Sequence, residues 1–146
     1  MFRPRRILVP VDLSPGAERS VRAAAGLARE FEGRILLFHV LDSRAVEDQY
    51  GLHGLREKEV RARMQANAGE HLRRILGKSW MKGLKAEVRF ADGIPPDAIV
   101  AAAKEWRADL LVLARGRRSG LSHLLYGRTS DAVVRESPCA VLTLAP

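Results

Sequence analysis

Apolar runs alternate with stretches in which apolar side chains recur every three or four positions, from one end of the chain to the other. That pattern predicts an α/β fold on a mostly parallel sheet. Arg6–Asp12 is apolar on both faces, as a central strand requires. Ser14 and Pro15 then open a helix, Ser as its cap and Pro in its first turn. Ala17, Val21, Ala24, Ala28 and Phe31 form one buried stripe, and Gly33 closes the helix. Arg34–Leu41 is a second central strand, and residues 42–55 form a polar loop. A helix over about Arg56–Leu76 follows, with Val60, Met64, Ala68, Leu72 and Ile75 on one face. Its other face carries Glu57/Arg61, Glu59/Arg63 and Glu70/Arg74, acid first at i,i+4 spacing, which marks a solvated surface.

Leu84–Phe90 differs from the other strands. Leu84, Ala86, Val88 and Phe90 alternate with Lys85, Glu87 and Arg89, so one face meets water and the strand belongs at an edge. Asp92–Gly93 turns the chain, and a third helix runs from Ile94 to near Trp106 with Ile99, Val100 and Ala103 inward. Asp109–Ala114 is a fourth strand, Pro138 stops the last helix, and Cys139–Leu144 is the final strand. Right-handed crossovers, with the third strand at an edge, give the order 3-2-1-4-5. The pattern predicts a single domain, residues 1–146, with one doubly wound five-stranded parallel sheet of Rossmann-like type. Strand order reverses between strands one and four, and ligands in such sheets sit beyond the carboxyl ends of the strands there. Those ends carry Asp12 and Ala114, and a long loop with four arginines and three glycines runs from Arg115 to Arg128. A loop of that kind leading into a helix is a natural place for a phosphate.

The 146 residues suffice for a real core, and no apolar run is long enough to span a membrane. The basic start, Met1–Arg6, lacks a cleavage site of signal-peptide type, so the chain is expected to be cytoplasmic, with no membrane partner. Its one cysteine forbids an intrachain disulfide and, lying in a buried-strand pattern, is expected to pack in the core. The net charge of +8 favours acidic partners such as nucleotides. Arginine is spread over the chain without interleaved aromatics, which argues against nucleic-acid recognition. His39 lies within a central strand and is expected to be a satisfied core residue. His53, His71 and His123 show no zinc spacing, and no nucleophile elbow or full phosphate-loop motif is present.

Several segments, in this order, resemble the universal stress proteins: Ile7–Ser14, Asp92–Ile99, Ala108–Leu113, Arg118–Ser122 and Ser137–Leu142. The resemblance implies a nucleotide-binding α-hydrolase-like version of this fold, and a stress-response module rather than an enzyme. It also implies a homodimer, paired through the C-terminal strand Cys139–Leu144, and a site for ATP with magnesium or another adenine nucleotide. In that site Pro10, Val11, Asp12 and Val40 lie on the base side, with Leu113 and Ala114 at the end of strand four. ATP-binding members carry Gly, two residues, Gly, nine residues, Gly and then Ser or Thr. Here Ala114 stands at the first glycine, Arg117 at the second, Gly127 at the third and Arg128 at the hydroxyl position, with Thr129 and Ser130 next. Gly116 lies one residue before the second position. Arginine hinders both close backbone approach and positive φ, so the motif is degenerate. Arg115, Arg117, Arg118 and Arg128 can instead clamp an anion. Gly127, Thr129 and Ser130 are expected to offer donors at a helix N-terminus. Asp12 has a second reading, capping the turn that follows it. Two other functions stay open: slow ATP hydrolysis, and an adaptor that binds an acidic protein or nucleic acid through the arginine loop.

Overall fold

Five parallel strands lie in the order β3-β2-β1-β4-β5 in the computed structural model, as the hydrophobic pattern requires. The structure describes residues 1–14, 16–47, 56–115 and 123–145, without the side chains of 123–128. The strands are β1 (Arg6–Pro10), β2 (Arg34–Asp42), β3 (Lys85–Gly93), β4 (Leu110–Ala114) and β5 (Ala140–Leu144). The helices are α1 (Ala17–Phe31), α2 (Glu57–Leu76), α3 (Pro95–Glu105) and α4 (His123–Glu136).

The interior strands are apolar on both faces because both faces are covered. Ile7 lies opposite Ile35 and Leu110, and Leu8 opposite Leu36 and Leu111. The pleat sends these two rows to opposite sides. Ile7, Val9, Ile35, Leu37 and Val112 pack with Val21, Ala24 and Ala28 of α1 and Leu72 and Ile75 of α2. Leu8, Leu36, Phe38, Leu111 and Leu113 pack with Ile99 and Ala103 of α3 and Val133 of α4. β3 is the expected edge, with Lys85, Glu87 and Arg89 exposed and Ala86, Val88 and Phe90 half-buried. It runs further than expected: Leu41 pairs with Asp92 and Asp42 with Gly93, so the Asp–Gly pair ends the strand instead of leaving it.

Both ends of α1 depart from expectation. Ser14 does not cap α1; the N-cap is Gly16, without a side-chain bond, and Pro15 lies outside the described residues. Ser14 instead folds back on Asp12, and its carbonyl accepts from the Ala17 N–H at 3.2 Å. At the other end the left-handed residue is Glu32 (φ 54°), not Gly33. Gly33 answers a different need. A Cβ there would lie 3.1 Å from the Pro4 carbonyl oxygen and 3.2 Å from the Arg5 backbone, which cannot give way easily. On α2, Glu57–Arg61 closes at 2.8 Å and Glu70–Arg74 at 3.2 Å, but Glu59–Arg63 is not made. Arg61 also reaches Asp92 at 2.9 Å, which ties α2 to the end of β3. Cys139 is half-buried just ahead of β5 rather than enclosed in the core, and burial pushes its thiol up from the usual value. Among the described residues no helix is long and apolar enough to cross a membrane.

Candidate functional site

The carboxyl ends of β1, β2 and β4 open onto a cleft of about 280 Å³. Ligand sites of small molecules commonly occupy about 300–1,000 Å³, so the cleft lies at the small end of that range. It exists because β1 and β4 are adjacent while their following helices leave to opposite faces, so among the described residues no helix crosses the gap beyond their tips. The walls are mostly apolar: Phe38, Val40, Met64, Pro95, Ile99 and Leu113. Polar groups enter from Asp12, His39, Asp42, Thr129 and Ser130.

Eight of the residues singled out in the sequence line this cleft: Pro10, Val11, Asp12, Val40, Leu113, Ala114, Thr129 and Ser130. Gly116 and Arg117 lie outside the described residues, as do the side chains at Gly127 and Arg128. α4 begins at His123, so the expected loop from Arg115 to Arg128 is shorter than its sequence suggests. This corrects the role expected of the Gly127, Thr129 and Ser130 backbone. Those residues lie beyond the first turn of α4, where N–H groups donate to carbonyls one turn earlier. What Thr129 and Ser130 can offer is their hydroxyls; Ser130 is buried.

Asp12 follows β1, and its Oδ1 accepts from the Ser14 N–H at 2.9 Å and from the Ser14 hydroxyl. The capping reading of Asp12 is therefore realised, through the turn and not the helix. Among the described residues its second oxygen takes no hydrogen bond, which leaves it able to accept from a ligand. Val11 donates to the Phe38 carbonyl at 2.8 Å, and its own carbonyl meets His39 Nδ1 at 2.6 Å. His39 is thus the buried, bonded residue expected from its place in a central strand.

Asp42 and Met64 were not legible as site residues. Asp42 ends β2 as Asp12 follows β1, and a carboxylate closing a central strand was the available signal. It forms a two-pronged pair with Arg44, Oδ2 to Nη2 at 2.7 Å and Oδ1 to Nε at 3.0 Å. That guanidinium holds the Asp42 carboxyl below the usual carboxylate range. Met64 reaches the cleft from α2, and no sequence signal separates it from a core residue of that helix. The described wall is a mostly apolar slot with a few polar groups in its lining. Such a slot suits a flat heteroaromatic ring bearing hydroxyls better than a bare anion.

Comparison with known proteins agrees with this architecture. The universal stress protein family model matches residues 4–144. A universal stress protein, MJ0531, of Methanocaldococcus jannaschii is 26% identical over 143 residues, spanning 96% of this chain and 81% of that protein. The solved structure of the hypothetical protein MJ0577 superposes with a TM-score of 0.81 at 22% identity, covering 100% of this chain and 98% of that one. A universal stress protein from Archaeoglobus fulgidus, solved in complex with dAMP, superposes with a TM-score of 0.67 at 24% identity and covers 98% of each chain.

Proposed function

The chain belongs to the universal stress protein family, and on that premise we propose that its cleft binds an adenine nucleotide in a regulatory rather than a catalytic role. The observation that carries this reading is the cleft at the switch point, where Asp12, Val40 and Ala114 face one apolar slot. A base would lie between Val40 and Leu113, and the free Asp12 oxygen would accept from a ribose hydroxyl or a base amine. The dAMP complex of a protein with the same fold supports the ligand class. Phosphates would be met by arginine side chains rather than by the bare glycine amides of ATP-binding relatives. A catalytic role has less support. Asp42 is committed to Arg44, and Asp12 spends one oxygen on Ser14, so neither is an unencumbered base.

Titration of the protein with AMP, and separately with ATP and magnesium, tests the reading. The midpoint of thermal unfolding should rise with the logarithm of nucleotide concentration above the dissociation constant. No rise at millimolar concentrations of either nucleotide refutes it.

We further propose that the chain pairs with a second copy along β5. Among the described residues this strand pairs along one edge, with β4; it exposes Leu142 on the α1 side of the sheet, and α4 exposes Val134 on the other side. An unpaired apolar edge is a liability unless something covers it. Leu142→Arg should convert a dimer to a monomer in sedimentation velocity. A wild-type chain that sediments as a monomer at micromolar concentration overturns the seam.

A further inference from the structure

One wall of the cleft is held by a ring rather than by the sheet. The β1–β2 ladder ends with Pro10 opposite Phe38. Beyond it the carbonyl of Val11 is buried and needs a donor. His39 supplies one, its Nδ1 2.6 Å away. A carbonyl can only accept, so Nδ1 carries the hydrogen and the neutral ring keeps Nε2 as an acceptor. Val11 is therefore clamped from β2 twice, by the Phe38 carbonyl through its N–H and by His39 through its C=O.

We propose that His39 is a positioning residue of this cleft: its neutral ring fixes the Val11–Asp12 peptide against which the ligand's base lies, and a second proton on that ring draws Asp12 away from the ligand. The proposal rests on the nucleotide reading above. Among the described residues two charged or titratable groups act on the ring, Asp12 from the end of β1, which attracts a cation, and His71 from α2, which repels one. From β3 the Phe90 ring meets it edge to face, the centroids 6.1 Å apart. Among the described residues His71 Nε2 is itself enclosed without a hydrogen-bond partner. The layer around His39 is thus short of polar partners, and an added charge has one anion to turn to. That anion is Asp12, the acceptor assigned to the ligand. Burial already holds His39 below the usual histidine value. A histidine lowered in this way makes the native state most stable above the ordinary histidine range, and stability falls as pH drops through that range.

The test uses AMP and three proteins, wild type, His39→Asn and His39→Phe, titrated calorimetrically at pH 7.5 and pH 5.0. Asparagine keeps an N–H donor near the place of Nδ1 but does not titrate. Between pH 7.5 and pH 5.0 wild type should lose about tenfold more AMP affinity than His39→Asn, a coupling of ordinary size. The nucleotide's own titration is common to both proteins and cancels. His39→Phe should bind weakly at both pH values; if it does not fold, the asparagine variant still decides. Parallel pH profiles for wild type and His39→Asn overturn the proposal. A second readout needs no ligand. In ¹⁵N spectra His39 should hold the Nδ1–H tautomer, and its titration should share a midpoint with the Val11 and Asp12 amides. Unrelated midpoints overturn the proposal even where AMP binds. Failure of wild type to bind AMP at pH 7.5, with shared midpoints, refutes the nucleotide reading and leaves the clamp standing.

Discussion

Leu36→Ala should lower the free energy of unfolding by about 3–4 kcal/mol, the usual cost of emptying a leucine-sized space in a core that cannot fully collapse. Leu36 is wholly enclosed on the interior strand β2. It lies opposite Leu8 of β1 and belongs to the same cluster as Phe38, Ile99 and Leu111, so the backbone on both sides is held in register and cannot close the gap. Urea denaturation followed by circular dichroism measures the loss. The midpoint should fall while its slope stays constant, because the surface exposed on unfolding hardly changes. Leu142→Ala on exposed β5 provides the contrast, with a cost below about 1 kcal/mol in the monomer. A loss at Leu36 no larger than at Leu142 would mean that the α3–α4 side of the sheet is not a packed core.

Removing the carboxylate of Asp109 should cost about 2 kcal/mol, from the loss of two hydrogen bonds to a charged acceptor, one of them discounted for exposure. Its Oδ2 accepts from the Arg5 N–H at 3.0 Å and the Arg6 N–H at 2.9 Å, while its own N–H donates to the Arg6 carbonyl at 2.8 Å. One side chain at the start of β4 thus pins the start of β1. The Arg6 side chain completes the attachment, with Nε donating to the Trp106 carbonyl at 2.8 Å and the guanidinium 4.8 Å over the indole. Asp109→Ala should unfold at lower denaturant, and the Arg5 and Arg6 amides should exchange with deuterium ahead of the rest of β1. Asp109→Asn, which keeps one acceptor oxygen without the charge, should recover about half of the loss. The cleft lies at the opposite end of the strands, so AMP affinity should stay at the wild-type value. Unchanged exchange at Arg5 and Arg6 would show that the sheet, not this carboxylate, secures the strand.

Much of the fold was legible because burial leaves a periodic trace. Doubly apolar runs at Ile7–Val9, Ile35–Leu37 and Leu110–Leu113 identify interior strands, and the alternation from Lys85 to Phe90 identifies an edge. Helix ends were less legible, since several backbone geometries satisfy the same sequence. Glu32 takes the left-handed position although Gly33 is adjacent, because Gly33 is required for the contact with Pro4 and Arg5. In the cleft, Asp12 and Ala114 were legible from their places at strand ends. Asp42, Met64 and the clamp of Val11 by His39 were not.

The sequence by itself determined the strand order and the end of the sheet where a ligand would sit, because both follow from local periodicity and from the handedness of crossovers, while the family was legible from the resemblance of its motifs. Only the tertiary structure decided what the cleft is made of. Pro10, His39, Met64 and Thr129 belong to four different elements, and their meeting depends on how helices cross the sheet. It also decided that the backbone at Thr129 and Ser130 is spent within α4, because a helix consumes its own N–H groups beyond the first turn wherever that first turn begins.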